Sequence, residues 1–407
     1  MKIVLFEDNQ CFNLRPAGLF RPLFDLYAGS WTLYKLVKLL DYPIDVIIRE
    51  HFLFEDQGHS WLKSPLQEPH LFLNSSIEPD VNYLTEFGNI SKSADPFITT
   101  SGNRVAAALV PSGREFPQSV TSNDIGSILL EMDLPLIHHK FKTIDWPHEI
   151  VESHLRLFDS SLEKILSCGN FDRKKKDVYI GENVELDSST KFDTSEGPVV
   201  LENGVKVKPF TFFEGPVYIG PNTRIIEHAS IKDKTSIGEM CKIGGEIEMS
   251  VVEPHSNKQH HGFLGHSWVG RWVNLGAGTT TSDLKNTYGK VRVVYGGKRV
   301  GTGMQFLGSI IGDFTKTAIN SSLFTGKMIG VCSMIYGMVT TNVPSFSNYA
   351  RTFGQVTEIS PEQVVTTQRR TFERRNIKQS QRDIELVHRV YKLTRNERGI
   401  GAEQITF

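Results

Sequence analysis

Apolar residues fall six apart without a miss at Leu201, Val207, Phe213, Ile219, Ile225, Ile231, Ile237 and Ile243, and Gly220, Gly238 and Gly244 each follow such a position directly. A helix repeats every 3.6 residues and a strand every 2, so neither yields one inward residue per six over this length. Three short strands per turn, one hexad to each side of a triangular prism, account for it. The apolar residues point inward and stack coil on coil, and the glycines are expected to help turn the corners. The pattern predicts a left-handed parallel β-helix of hexapeptide repeats over 177–342. Ile180 and Leu186 open it, Phe263, Val269, Leu275 and Thr281 resume it, and Ile311, Thr317, Leu323, Ile329 and Ile335 complete it. Between these runs, Glu248 to Gly289 leaves the repeat and gathers His255, His260, His261 and His266, which predicts a polar excursion mounted on a rigid scaffold.

Ahead of the prism the pattern changes. Lys2–Phe6 and Ile44–Ile48 are short apolar runs, and His70–Asn74 and Arg104–Val110 are further strand candidates. Leu33, Leu36, Val37 and Leu40 recur at helical spacing after Ser30, a candidate N-cap. Strand, loop, helix and strand in this order predict an α/β domain with a parallel sheet over 1–167, closed by a helix from His148 to Leu166. The polar run Ser167–Lys176 is the expected boundary. Beyond Val343 the six-residue period ends, and Val364–Thr394, free of Pro and Gly and rich in Arg and Gln, predicts one basic helix within a tail over 343–407. Its bland role is to pack on the prism or a neighbouring subunit; the alternative is an acidic or membrane surface.

Length and charge narrow the classes. At 407 residues two or three units are expected, and a formal net charge of −1 gives no reason to expect nucleic acid. No apolar run approaches a membrane span. Cys11, Cys168, Cys241 and Cys332 lie far apart without CxxC spacing. They fit reduced thiols better than a disulfide framework or a zinc site. The opening MKIVLFEDNQ meets an acidic pair too early for a signal peptide, so the expected location is the cytoplasm.

One prism offers few deep pockets, whereas prisms packed side by side as a homotrimer enclose clefts between them. Hexapeptide enzymes typically move acyl groups from coenzyme A, and that step needs a base for the attacking amine or hydroxyl and a donor for the developing oxyanion. Histidine suits the base because it titrates near neutrality. His255, His260, His261 and His266 are all candidates, each with the alternative of a loop or core histidine satisfying backbone groups. Asn274, Asn286 and Tyr288 are candidates to orient a sugar or, equally, to cap corners. Lys285 and Lys258 are candidates for a sugar phosphate or for plain solvation. In the first domain Arg15 and Arg21 flank the strand–helix loop, where phosphates commonly sit.

An α/β domain followed by a hexapeptide prism that carries NKQHHGFLGHSWVGRWVNLGAGTTTSDLKNTYG and TGMQFLGSIIGDFTKTAIN resembles the bifunctional UDP-N-acetylglucosamine pyrophosphorylase/glucosamine-1-phosphate N-acetyltransferase family, in a divergent bacterial branch. The resemblance implies a small-molecule sugar phosphate and a nucleotide as substrates and acetyl-CoA as co-substrate. The motif H-x-x-[YF]-L-G falls on His260, Phe263, Leu264 and Gly265, giving His260 the general-base role and Phe263 the place of a sugar-contacting tyrosine. The block N-[IL]-G-A-G-T falls on Asn274–Thr279, implying contacts from Asn274, Gly276, Ala277 and Gly278 to acetyl-CoA. The glycine-rich nucleotide loop is absent, and LRPAGLFRPLFDLYAG stands in its place, where Arg21, Pro22 and Asp25 match an RP-x-x-D-L pattern. Uridylyl transfer ordinarily takes Mg²⁺ to offset triphosphate charge; no carboxylate is identified as its ligand. Two alternatives remain: an acyltransferase with a catalytically dead nucleotidyltransferase domain, and a non-catalytic regulatory or scaffold subunit.

Overall fold

The computed structural model describes residues 1–54, 64–93, 95–117, 119–138 and 141–399. It divides into two compact units, one of Met1–Leu14 and Arg21–Trp146, the other of Arg15–Phe20 and Pro147–Phe407.

The first unit is built on a five-stranded sheet. Strand Lys2–Phe6 pairs in parallel with Ile44–Ile47 on one side and His70–Asn74 on the other. The sheet is mixed and not purely parallel as expected: Arg104–Val110 runs antiparallel to His70–Asn74, and Phe97–Ser101 antiparallel to Arg104–Val110. These last two strands are joined by the tight Ser101–Arg104 turn, which only an antiparallel pair allows. The helix Leu33–Lys38 starts from Thr32, whose hydroxyl accepts from the Lys35 N–H at 3.1 Å, and not from Ser30, which lies at φ 71°.

The second unit is a parallel β-helix. On its first face Leu201, Ile219, Ile237, Val252, Val269, Ile311 and Ile329 stand in register. Val207, Ile225, Ile243 and then Lys258 do so on the second face, and Phe213, Ile231, Ile247 and Leu264 on the third. The inward apolar residues are almost fully buried and form one core. The corners turn on non-glycine residues in the left-handed region, among them Asn222, Met240, His255, Trp272 and Phe314. Gly220 and Gly238 serve a different purpose from the one expected: a Cβ there would press within 2.8 Å and 2.6 Å of the next coil's backbone.

The expected excursion is displaced. Val251–Val252, Asn257–Lys258 and Phe263–Gly265 are ordinary rungs, and Leu264, not Phe263, takes the inward place. Spacing hides this because Ile237 meets Val252 after 15 residues, where the coils below keep 18. The true insert begins at Asp283 and returns at Leu307, and carries the hairpin Arg292–Tyr295/Lys298–Gly301. The helix Pro147–Cys168 belongs to this second unit: His154 Nε2 lies 2.8 Å from the Lys234 carbonyl, and Tyr295 of the hairpin meets His148. At the far end the single basic helix is two, Pro361–Glu373 and Gln381–Leu393, each opened by a capping box at Ser360 or Ser380. They pack on the prism with Val364, Val387 and Val390 against Val331, Phe346 and Leu19.

Candidate active site

The second-face column reaches Lys258 where Ile243 stands one coil below. Its chain is buried at 3% exposure among apolar anchors, and its Nζ donates to the carbonyls of Gly244 (2.9 Å), His260 (3.3 Å) and Gly262 (2.6 Å). Lys258 is thereby placed away from the sugar-phosphate role open to it in sequence. Between Lys258 and Phe263 the chain turns a corner, with Gly262 at φ 123° and the side chains of His260 and His261 exposed.

Directly above lies the Asn274–Thr279 block. Gly278 donates its N–H to the His261 carbonyl at 3.0 Å, and a Cβ on Gly262 would sit 2.1 Å from the Thr279 carbonyl oxygen. The two motifs separated in sequence are therefore one stacked corner. Gly278 (φ 76°) has Asn320 Oδ1 where a Cβ would be, at 2.1 Å, and Gly276 donates to Thr317 Oγ1 at 2.9 Å. The N–H groups of both glycines are thus committed within the scaffold. The half-exposed positions of the block include Asn274, whose backbone bridges Asn257 and Lys316 in the ladder and whose Oδ1 accepts from Asn257 Nδ2 at 3.5 Å, and Ala277. Phe263 lies over Glu246 in the adjacent coil and is half-exposed. Lys285, Asn286 and Tyr288 sit at the root of the insert, where the Tyr288 N–H closes a turn on the Lys285 carbonyl at 2.8 Å. Among the described residues no hydrogen bond joins these three to the histidine turn.

The other histidines go elsewhere. His255 stacks on Trp272 (4.2 Å between centroids), which in turn meets Phe372. His266 stands at the opposite end of strand Phe263–Gly265 from His260. Its Nδ1 is 2.8 Å from Asp283 Oδ2, and its ring stacks on Phe306 at 5.2 Å. Glu248 completes a group whose ligand-type atoms lie within 4.8 Å, and burial raises the proton affinity of its carboxyl. Gly265 makes room for the group, since a Cβ there would come within 2.5 Å of Asp283 Oδ2. Asp283 and Glu248 carry no sequence signal of this pairing beyond lying one coil apart on either side of His266.

In the first unit Arg21 is buried and its carbonyl accepts from Arg49, while Asp25 is half-buried in the short turn Leu23–Asp25. Arg15, in the second unit, faces Glu397 at 3.8 Å. The strand ends hold a network that sequence reading missed. Glu7 Oε1 accepts from Leu23 N and Arg49 NH2, and Oε2 from Arg49 N and Nε. Asp8 accepts from both Nε and NH2 of Arg104, from Asn74 Nδ2 and from the Gln10 N–H. An acidic pair directly after a buried strand was the available signal, because buried carboxylates must be partnered. Each oxygen already takes two donors, so neither carboxylate has a lone pair open to Mg²⁺, which asks for near-octahedral oxygen ligation.

Residues 3–167 match the family described as sugar nucleotidyl transferase. A bifunctional sugar-1-phosphate nucleotidylyltransferase/acetyltransferase of Sulfurisphaera tokodaii is 34% identical over 153 residues, 36% of this chain and 37% of its own. The bifunctional protein GlmU of Rippkaea orientalis is 29% identical over 211 residues, 42% of each chain. That of Methanococcus aeolicus is 31% identical over 170 residues, 40% of this chain and 41% of its own. The chain spans about two fifths of the length of these curated relatives. Among solved structures, an Arabidopsis UDP-N-acetylglucosamine acyltransferase overlaps 57% of this chain and 82% of its own, at 16% identity and a TM-score of 0.29. No helix among the described residues is long and apolar enough to cross a membrane.

Proposed function

We propose that this chain is a cytoplasmic enzyme of sugar-nucleotide synthesis, in the GlmU-like branch suggested by its sequence. Its β-helix transfers the acetyl group of acetyl-CoA to the amine of an amino-sugar 1-phosphate, and its first unit transfers a uridylyl group to give UDP-N-acetylglucosamine. The observation that carries this reading is the Gly278–His261 hydrogen bond, which stacks the Asn274–Thr279 block on a corner whose histidine side chains face solvent. His260 acts there as the base that takes the proton shed by the attacking amine. Phe263 and Asn274 border the acceptor and the thioester, with Lys285, Asn286 and Tyr288 meeting the sugar phosphate from the insert. The Sulfurisphaera tokodaii relative, a bifunctional sugar-1-phosphate nucleotidylyltransferase/acetyltransferase, supports two activities in one chain. Large apolar side chains exposed on the late coils, Ile319, Phe324, Met338 and Phe353, support assembly as a homotrimer.

The test is to supply glucosamine 1-phosphate, acetyl-CoA, UTP and Mg²⁺ and to resolve the products by mass. N-acetylglucosamine 1-phosphate and UDP-N-acetylglucosamine are expected; no acetylated product from any amino-sugar phosphate overturns the reading. A second reading, an acyltransferase with a first unit that no longer transfers nucleotides, is favoured by the closure of Glu7 and Asp8 by Arg49 and Arg104. It gives the acetylated sugar phosphate alone.

A further inference from the structure

A parallel β-helix fills its interior with apolar side chains because nothing inside solvates a charge. Lys258 breaks that rule in the column Val207, Ile225, Ile243, Lys258. Such a cation is tolerated only where it is fully hydrogen-bonded, and Lys258 meets the requirement with three main-chain carbonyls. Two of the three belong to the exposed histidine turn, those of His260 and Gly262. The third carbonyl of the turn, that of His261, accepts from Gly278, and Gly262 also accepts from the Glu246 N–H at 3.1 Å. Every carbonyl of this turn is therefore held, those of His260 and Gly262 by the inward Lys258 and those of His261 and Gly262 by the backbones of the adjacent coils, while the two histidine side chains are exposed.

We infer that Lys258 is a positioning residue, an internal pin that fixes the backbone of the turn and so holds the His260 imidazole in place for proton transfer. The inference rests on the acyl-transfer reading for its catalytic consequence, but not for its structural one. An isosteric apolar anchor would fill the same space, and burial lowers the Lys258 pKa to about 8, so the cation is the costlier choice for packing alone. What the ammonium adds is three directed bonds, two of them to a corner that carries two exposed histidines and a glycine at φ 123° and the third tying that corner to Gly244.

The experiment replaces Lys258 with methionine in the full chain, with two readouts. Hydrogen exchange is followed at the amides of Gly278 and Glu246, which donate to turn carbonyls, against Gly220 and Gly238, whose N–H groups donate to Ile237 and Val252 in the lower coils. Lys258→Met should speed exchange at the first pair about tenfold or more and leave the second pair unchanged. Acetyl-transfer kcat should fall roughly a hundredfold, as expected for a displaced catalytic group, with KM for acetyl-CoA held within about twofold. Unchanged exchange at Gly278 and Glu246 overturns the pin, and faster exchange with unchanged kcat overturns its catalytic consequence. A wild type without acetyl transfer defeats the reading of function, while exchange still decides whether Lys258 holds the turn. If Lys258→Met does not fold, Lys258→Gln, which keeps two N–H donors, should show the same changes at smaller amplitude, and unchanged exchange in it counts equally against the pin.

Discussion

His266 and Asp283 meet with Nδ1 and Oδ2 2.8 Å apart, beneath the ring of Phe306. An imidazole oriented by a carboxylate is one way a protein builds a base, and His260 has no such partner among the described residues. The two differ in burial as well: His266 is 8% exposed and His260 is open to solvent. Removing His266 leaves Asp283 without its partner, so His266→Ala should cost about 1–3 kcal/mol of stability. Its melting temperature should fall by several degrees; an unchanged melting curve would mean that the pair contributes nothing to the fold.

His260→Ala should behave in the opposite way. An exposed side chain at a corner leaves the melting temperature nearly unchanged, whereas a positioned base is worth roughly 10²–10⁴-fold in acyl transfer. His261→Ala, one residue out of the motif's phase, should be milder. Steady-state kinetics on the three histidine variants separate the roles. Near-wild-type turnover in His260→Ala together with inactive, folded His266→Ala would assign the base to the Asp283-linked imidazole.

Acid should loosen the helix Pro147–Cys168. Burial lowers the pKa of His148 and of His154 from the ordinary 6.5 to about 4. Between those values the unfolded chain binds more protons than the folded one, so stability falls as pH falls through the window and is fully present above it. The slope is roughly 1.4 kcal/mol per pH unit for each histidine. Melting temperatures from pH 7 to 4 should drop less steeply in His154→Gln than in the wild type; parallel curves would rule His154 out as a source of the acid sensitivity.

Gly278 offers a test of the stacked corner. At φ 76°, with Asn320 Oδ1 2.1 Å from the ideal Cβ position, it has no room for a side chain. Gly278→Ala should lose at least about 1–2 kcal/mol from backbone conformation alone, and more from the displaced Asn320. Chemical denaturation measures the loss, and a variant as stable as wild type would show that the corner relaxes freely.

In the first unit, Arg104→Met removes the bidentate partner of the buried Asp8. Breaking a buried pair by deleting one member costs about 3–5 kcal/mol. Trypsin should therefore cut the first unit of this variant far faster than that of the wild type; equal digestion rates would show that Asp8 does not depend on Arg104.

Much of the scaffold could be read from residue order, because its rules are local. Each hexad from Leu201 to Ile243 carries its own inward residue, and those residues did become the stacked columns. Strands Lys2–Phe6, His70–Asn74 and Arg104–Val110 were legible as apolar runs. The break between the two C-terminal helices was also present in the letters, as Ser380 followed three residues later by Asp383, a capping pattern that the uniform Arg and Gln content concealed. What escaped depends on partners remote in sequence. Glu7 finds Arg49 across 42 residues and Asp8 finds Arg104 across 96. The inward turn of Lys258 escaped for another reason: one coil shortened from 18 residues to 15 moved it into an apolar column that no count by six reaches. At the candidate site, the histidine turn and the Asn274–Thr279 block were each visible, but their contact belongs to the stacking of coils.

The insert between Asp283 and Leu307 is fastened at its neck, where the Leu307 N–H donates to the Asp283 carbonyl at 2.8 Å. The ladder passes over it: Val269 meets Ile311 across 42 positions, where Ile311 meets Ile329 across 18. The surplus of 24 residues is therefore spliced in at a point the repeat does not register, like a loop of thread pulled from a seam. Chain length is free to drift at the exposed Gly296–Gly297 tip, while Val291, Val293 and Tyr295 stay packed, so foreign segments grafted at that tip would inherit a ready-made clasp while the coils above and below keep their count.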